Sequence, residues 1–279
     1  MKDYFALNAA FPKFDAKAWV GHYPFRQTRV NTLPKLQKRH ASLSVTGALI
    51  SSLDAIFYQD PLEADGPLSV ALADYPEYKQ LIAVNPRSEI WTRQIERGLA
   101  ETNAVGLHLY PCVHDYGFDL PALDALAEVA KERDLPLFIS FRIEDARLEY
   151  LTKYRQPDYP VIAAWLDRHR DNRICIMGLR DGELLVSDFA PLFRESAEEA
   201  ARTGRLNLVA DTAQINGGGF TMRELVKRMP AATLCWSSGS PILAATSAWL
   251  QMAAFEGNEA DRAAIWQGNI QKFLAAPGK

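Results

Sequence analysis

Residues 105–142 read VGLHLYPCVHDYGFDLPALDALAEVAKERDLPLFISFR, a unit that recurs in outline along the whole chain. Residues 105–110 and 135–142 are apolar runs without strict polar alternation, which is how strands covered on both faces read. Between them Pro121 opens a helical pattern over 122–133, and basic Lys131 and Arg133 close it.

Working outward, the same alternation places strands at 14–19, 45–51, 81–85, 105–110, 135–142, 173–178, 206–211 and 233–237. Helical patterns lie among them at 89–101, 122–133, 161–170 and 222–228, and 259–275 reads as a final helix. Eight such units over 279 residues predict an α/β fold, a single (β/α)8 TIM barrel with a C-terminal covering helix. No GxGxxG follows the first strand, which argues against an open dinucleotide-binding sheet. No linker-like shift in composition divides residues 1–279, so one domain is expected.

The formal net charge of −3 and the scattered basic residues give no reason to expect a nucleic-acid partner. The short run KLQKRH at 35–40 reads as the solvated face of a helix. Cys112, Cys175 and Cys235 are odd in number and lack CxxC spacing, which suggests reduced thiols and a cytoplasmic location. No apolar h-region opens the chain and no run approaches eighteen apolar residues, so neither a signal peptide nor a membrane span is expected. Whether the chain forms a homo-oligomer is left open.

In a barrel of this kind the active site lies at the C-terminal strand ends. Polar residues gather there: His22, Tyr23 and Arg26 after the first strand, Asp54 after the second, and Asn85 at the third. The fourth runs through His108 and Tyr110 to His114 and Tyr116. Then come Ser140, Arg142 and Asp145, followed by Arg180 and Asp181, Asp211, and finally Ser237 and Ser238.

The stretches FDAKAWVG, SSLDAIFYQDP, AVNPRSEIW, NLVADTA and CWSSGSP, taken in order with 105–142, resemble the amidohydrolase-related (amidohydrolase 2) family of TIM-barrel proteins. The resemblance implies a His-x-His pair on strand 1, His on strands 5 and 6, and Asp on strand 8, all serving a metal. This sequence has Lys17 and Trp19, Ser140, Gly178 and Gly239 at the corresponding places. Two imidazoles cannot be replaced by a lysine and an indole, and an ammonium repels a cation. The resemblance is therefore to a branch lacking the usual ligands, with a PFR loop at 24–26 and an HxY after strand 4; no metal and no other cofactor is expected. A surviving metal would need substitute ligands, such as His22, His108, His114 and one of the aspartates.

The expected activity is a metal-free, amidohydrolase-like enzyme acting on a small anionic metabolite such as a lactone or sugar acid. Hydrolysis is the first expectation, with lyase or isomerase chemistry behind it. His114, or His22, would be the acid/base, oriented by Asp54, Asp145 or Asp211, each of which could instead cap its own loop. Arg142 and Arg26 would hold the anion, with Asn85, His108, Tyr110 and Tyr116 lining the pocket. An internal ion pair of Arg142 with Asp145 or Asp54 is the plainer reading of that arginine. Ser238 does not fit GxSxG, since 236–240 reads WSSGS, and the glycines 217–219 read as a phosphate cradle or a flexible loop. The alternative from another class is a non-catalytic, ligand-binding or scaffolding descendant of the same fold.

Overall fold

Eight parallel strands form one sheet in chain order: β1 (Lys13–Val20), β2 (Val45–Ser52), β3 (Tyr78–Val84), β4 (Ala104–Leu109), β5 (Leu137–Ser140), β6 (Ile174–Met177), β7 (Leu208–Asp211) and β8 (Leu234–Cys235). The computed structural model describes residues 3–145, 148, 155–186 and 188–275. The sheet closes on itself because the stretch leaving β8 pairs with β1: Ala16 N–H donates to the Trp236 carbonyl, Gly239 N–H to Lys17, and Trp19 N–H to Ser240. The result is the predicted (β/α)8 barrel, and each predicted strand overlaps an observed one.

All four predicted internal helices are present, as Trp91–Glu101, Pro121–Glu132, Tyr159–Arg168 and Gly218–Val226. The last begins at Gly217 and Gly218, whose φ of 99° and 71° favours glycine, so that triplet serves as a helix start. The run 35–40 lies on the helix Leu33–Ser42, as expected, but His40 in it is buried. The C-terminal covering segment is two short helices, Glu259–Ala263 and Asn269–Leu274, joined by the π-type turn Ala264–Gly268. Its Ile270 and Phe273 pack with Phe14, Leu49, Phe138 and Val209 in the lower barrel interior. Phe138 and Phe273 meet edge to face at 5.7 Å.

One irregularity sets the site. Asp15 pairs with Ala48, but Ala18 pairs with Ile50, so β1 holds one extra residue there. A bulge of this kind shifts the inward–outward alternation and frees main-chain groups from the ladder. The freed Lys17 N–H donates to Asp15 Oδ1 at 3.1 Å, while the Lys17 side chain turns into the barrel.

Candidate functional site

At the C-terminal end of the barrel interior a polar layer replaces the apolar filling below it. Lys17 Nζ donates to the Arg142 carbonyl at 3.3 Å, lies 3.8 Å from Asp211 Oδ2, and sits 5.0 Å from the Trp19 ring centroid. Asp211 is held at the end of β7 by the Gly178 N–H (2.7 Å) and the Ser237 hydroxyl (2.7 Å). Burial pushes the Lys17 pKa down, and neighbouring Asp211 opposes that shift. The amine is therefore poised to give up its proton more readily than a surface lysine.

His108 occupies the opposite wall, facing inward as its alternation in β4 predicts. Its Nδ1 lies 2.7 Å from the Ser51 hydroxyl and 2.8 Å from Tyr110 Oη, and its Nε2 is 2.9 Å from the Ser140 hydroxyl. Trp19 Nε1–H donates to Tyr110 Oη at 3.1 Å, leaving the tyrosine proton for His108 Nδ1. That chain assigns the remaining ring proton to Nε2, donated to Ser140. Burial, and then the charge of Lys17, hold the His108 pKa well below its usual range, so the ring is neutral. The layer is sealed: Lys17, Trp19, His108, Ser140 and Asp211 are each at most 2% exposed. Cys112 donates to the Ser140 carbonyl at 3.2 Å, and burial pushes its thiol pKa up to about 12, which removes it as a nucleophile at neutral pH.

The other predicted residues divide into engaged and peripheral ones. Arg142 forks onto Glu183 at 2.5 and 2.6 Å, and Tyr159 Oη donates to the same carboxylate at 2.7 Å. Its ion-pair partner is thus Glu183 rather than Asp145 or Asp54, because the turn after β6 brings Glu183 beside the end of β5. Arg26 donates from Nε to Glu144 Oε1 at 2.8 Å and from its other arm to the Ile242 carbonyl. His114 is turned inward by the short helix Pro111–His114, which ends in a left-handed Asp115 with φ 50°. His114 Nε2 donates to the Ile56 carbonyl at 2.8 Å, so a main-chain group rather than Asp145 or Asp54 sets its tautomer. Its Nδ1 has no hydrogen-bond partner among the described residues, and burial lowers its pKa.

His22 is exposed, and its main-chain N–H donates to Asp54 Oδ2 at 3.0 Å. Asp54 therefore caps the loop after β1 and orients no imidazole. Asn85 likewise accepts the Arg87 N–H at 3.0 Å in a local turn. Tyr116 is buried near His114, with ring centroids 6.5 Å apart. Asp145 is half-buried, and its carbonyl accepts from Leu148 N–H. The residues that sequence reasoning gave no role are Lys17, Trp19, Ser51, Glu144 and Glu183. The signal for the first two was a lysine in the middle of a short buried strand.

The donor set does not fit a divalent cation. Lys17 places its ammonium in the interior, and both His108 nitrogens are engaged by hydroxyls. Gly178 has φ +78°, and a Cβ built on it would lie 2.6 Å from the Arg142 carbonyl oxygen, so no ligating side chain can stand there. The substitute set does not assemble: among the described residues no three His, Cys, Asp or Glu side chains converge as metal ligands.

No family model matches the chain, and no curated protein matches it. Solved structures do. The 5-carboxyvanillate decarboxylase LigW from Sphingomonas paucimobilis superposes with a TM-score of 0.71 at 14% identity, over 95% of this chain and 99% of that one. A 2,6-dihydroxybenzoate decarboxylase from Rhizobium gives 0.67 at 14% identity, over 95% and 98%. A dihydroxybenzoic acid decarboxylase from Polaromonas sp. JS666, with bound manganese and the inhibitor 2-nitroresorcinol, gives 0.69 at 15% identity, over 95% and 97%. At such identities the likeness is one of fold.

Proposed function

We propose that the chain is a metal-independent lyase acting on a small carboxylate, with Lys17 as the central group. The observation that carries this reading is a lysine side chain at the upper centre of the barrel, 3.8 Å from Asp211 and beside a neutral His108. A buried ammonium stabilises negative charge developing on a substrate more strongly than it would in water. Its lowered pKa also makes the ammonium a readier proton donor than a surface lysine. In a decarboxylation the carbon–carboxylate bond would break, CO2 would leave, and the electron pair would take a proton from Lys17. Water would then restore the ammonium. Asp211 positions the amine, and the Ser51–His108–Ser140 chain offers hydroxyl donors to a substrate oxygen. The fold shared with three aromatic-acid decarboxylases supports a carboxylate substrate. The absence of a fitting donor set among the described residues supports chemistry without the manganese bound in the Polaromonas structure.

This places lyase chemistry ahead of the hydrolysis first expected, because burial keeps the Cys112 thiol protonated and no set of metal-ligating side chains converges among the described residues. The test is CO2 release from a panel of hydroxybenzoates in the presence of a chelator. Turnover should persist with the chelator and vanish in Lys17→Met. Turnover that appears only when manganese is added would overturn the reading. A second reading, a binding protein without turnover, draws support from the sealed interior; tight binding of a hydroxybenzoate with no CO2 release would establish it.

A further inference from the structure

Three consecutive residues leaving β5 lie at the barrel mouth, the outer two fastened to neighbouring loops. Arg142 is tied to Glu183, after β6, while its carbonyl accepts Lys17 Nζ. Ile143 is fully buried in the same packed cluster as Trp19, Tyr23, Tyr110 and Ile242, directly above the polar layer. Glu144 is also fully buried. Its Oε1 accepts from Arg26, in the loop after β1, and its main-chain carbonyl accepts from Gln214, after β7, at 2.9 Å. Strands 1 and 5 lie across the barrel from each other, so the Arg26–Glu144 contact spans the mouth.

The odd feature is the second oxygen. Glu144 Oε2 is buried and has no hydrogen-bond partner among the described residues. A carboxylate taken out of water with one oxygen unsatisfied is expensive for a residue that only fastens a loop. A glutamine would keep the contact to Arg26 without burying a charge. Arg26, by contrast, is one-third exposed, so incoming solutes reach it.

We infer that Ile143 and Glu144 are resident stand-ins for the ligand: an aromatic monocarboxylate exchanges for Glu144 at Arg26 and lays its ring in the place Ile143 takes in the cluster with Trp19 and Tyr110. The inference rests on the carboxylate reading of the site and adds its recognition group. A guanidinium is a natural carboxylate partner, since its planar fork matches both oxygens. Release of the strap returns the unsatisfied Glu144 to water, which offsets part of the cost of opening. The same arrangement makes the protein selective, because a neutral ligand of the same shape cannot replace the charge that Arg26 gives up.

Benzoate is the probe, titrated calorimetrically into wild type, Glu144→Gln and Arg26→Met, with benzyl alcohol as the neutral counterpart. Glu144→Gln should bind benzoate at least about tenfold more tightly than wild type, because its resident competitor has lost its charge. Arg26→Met should bind at least about tenfold more weakly, and benzyl alcohol should not distinguish the three. Glu144→Asp, too short to keep its reach to Arg26, provides a second variant and should also tighten benzoate. Equal benzoate affinity in wild type and both Glu144 variants overturns the inference, as does an Arg26→Met that binds normally. Binding is read without turnover, so a failed exchange leaves the Lys17 chemistry standing, and an inactive enzyme leaves the exchange standing.

Discussion

Two buried aspartates are tied to neighbouring serines at the end of β8, and they are built to different tolerances. Asp15, on the outer side of the barrel wall, accepts from Lys17 N–H, Ser238 N–H, the Ser238 hydroxyl at 2.5 Å and His40 Nε2 at 3.1 Å. His40 is itself held through Nδ1 by Tyr78 Oη at 2.9 Å. Asp211, on the inner side, has the Gly178 N–H and the Ser237 hydroxyl, and its third partner, Lys17, stands off at 3.8 Å. A carboxylate with four close donors fixes a shape. One with a loose ammonium beside it retains an interaction to offer. The first network also holds the bulge that aims Lys17 at the second, so the tight site positions the slack one.

The sharpest way to break this comparison is Asp15→Ala. It strips acceptors from two main-chain N–H groups, a hydroxyl and an imidazole in a dry environment, and should cost about 3–5 kcal/mol. Denaturant unfolding measures it. A loss below about 1 kcal/mol would mean that the bulge holds itself and Asp15 is incidental.

This pair also shows what the sequence could and could not disclose. The barrel was legible because each strand is a separate apolar run and each crossover helix carries its own start signal, as at Pro121. Lys17 was legible only as a missing ligand. Its inward aim depends on a single extra residue in β1, and nothing local in FDAKAWVG marks a bulge. His114 and Arg142 were correctly placed at the strand ends, but their partners, the Ile56 carbonyl and Glu183, come from loops whose paths only the closed barrel fixes. Glu144 went unremarked because a glutamate after an apolar strand usually points into water.

A third buried aspartate sharpens the contrast. Asp65 accepts the Ala83 N–H at 2.8 Å, while its Oδ1 has no partner among the described residues. Burial pushes its pKa up to about 8, against an unfolded value of 3.8. Between those values the folded chain keeps a proton that the unfolded chain has released, so stability falls as pH rises from about 4 to 8 and the penalty is constant above that. Asp65→Asn, which retains an acceptor for Ala83, should remove this slope. Relative to wild type it should gain about 2–3 kcal/mol between pH 6 and pH 8. An equal stability difference between Asp65→Asn and wild type at those two pH values would show that a shortage of donors does not separate Asp65 from Asp15.

The smallest stability effect should come from the slack site itself. In Asp211→Asn the side-chain oxygen can still accept from Gly178 N–H or Ser237, and no close contact to Lys17 is broken, because none shorter than 3.8 Å exists. The cost should be about 1–2 kcal/mol, at least about 2 kcal/mol less than at Asp15. Function should respond in the opposite proportion. Asp211 is the largest influence raising the Lys17 pKa against its burial, so its removal weakens what opposes burial and the pKa falls further. The amine would then be protonated only at lower pH, and the alkaline limb of any pH–rate profile should move to lower pH, while Lys17→Met abolishes turnover at every pH. An Asp211→Asn profile with its limb unmoved would mean that the aspartate does not set the lysine's proton, and the two networks would then differ in geometry alone.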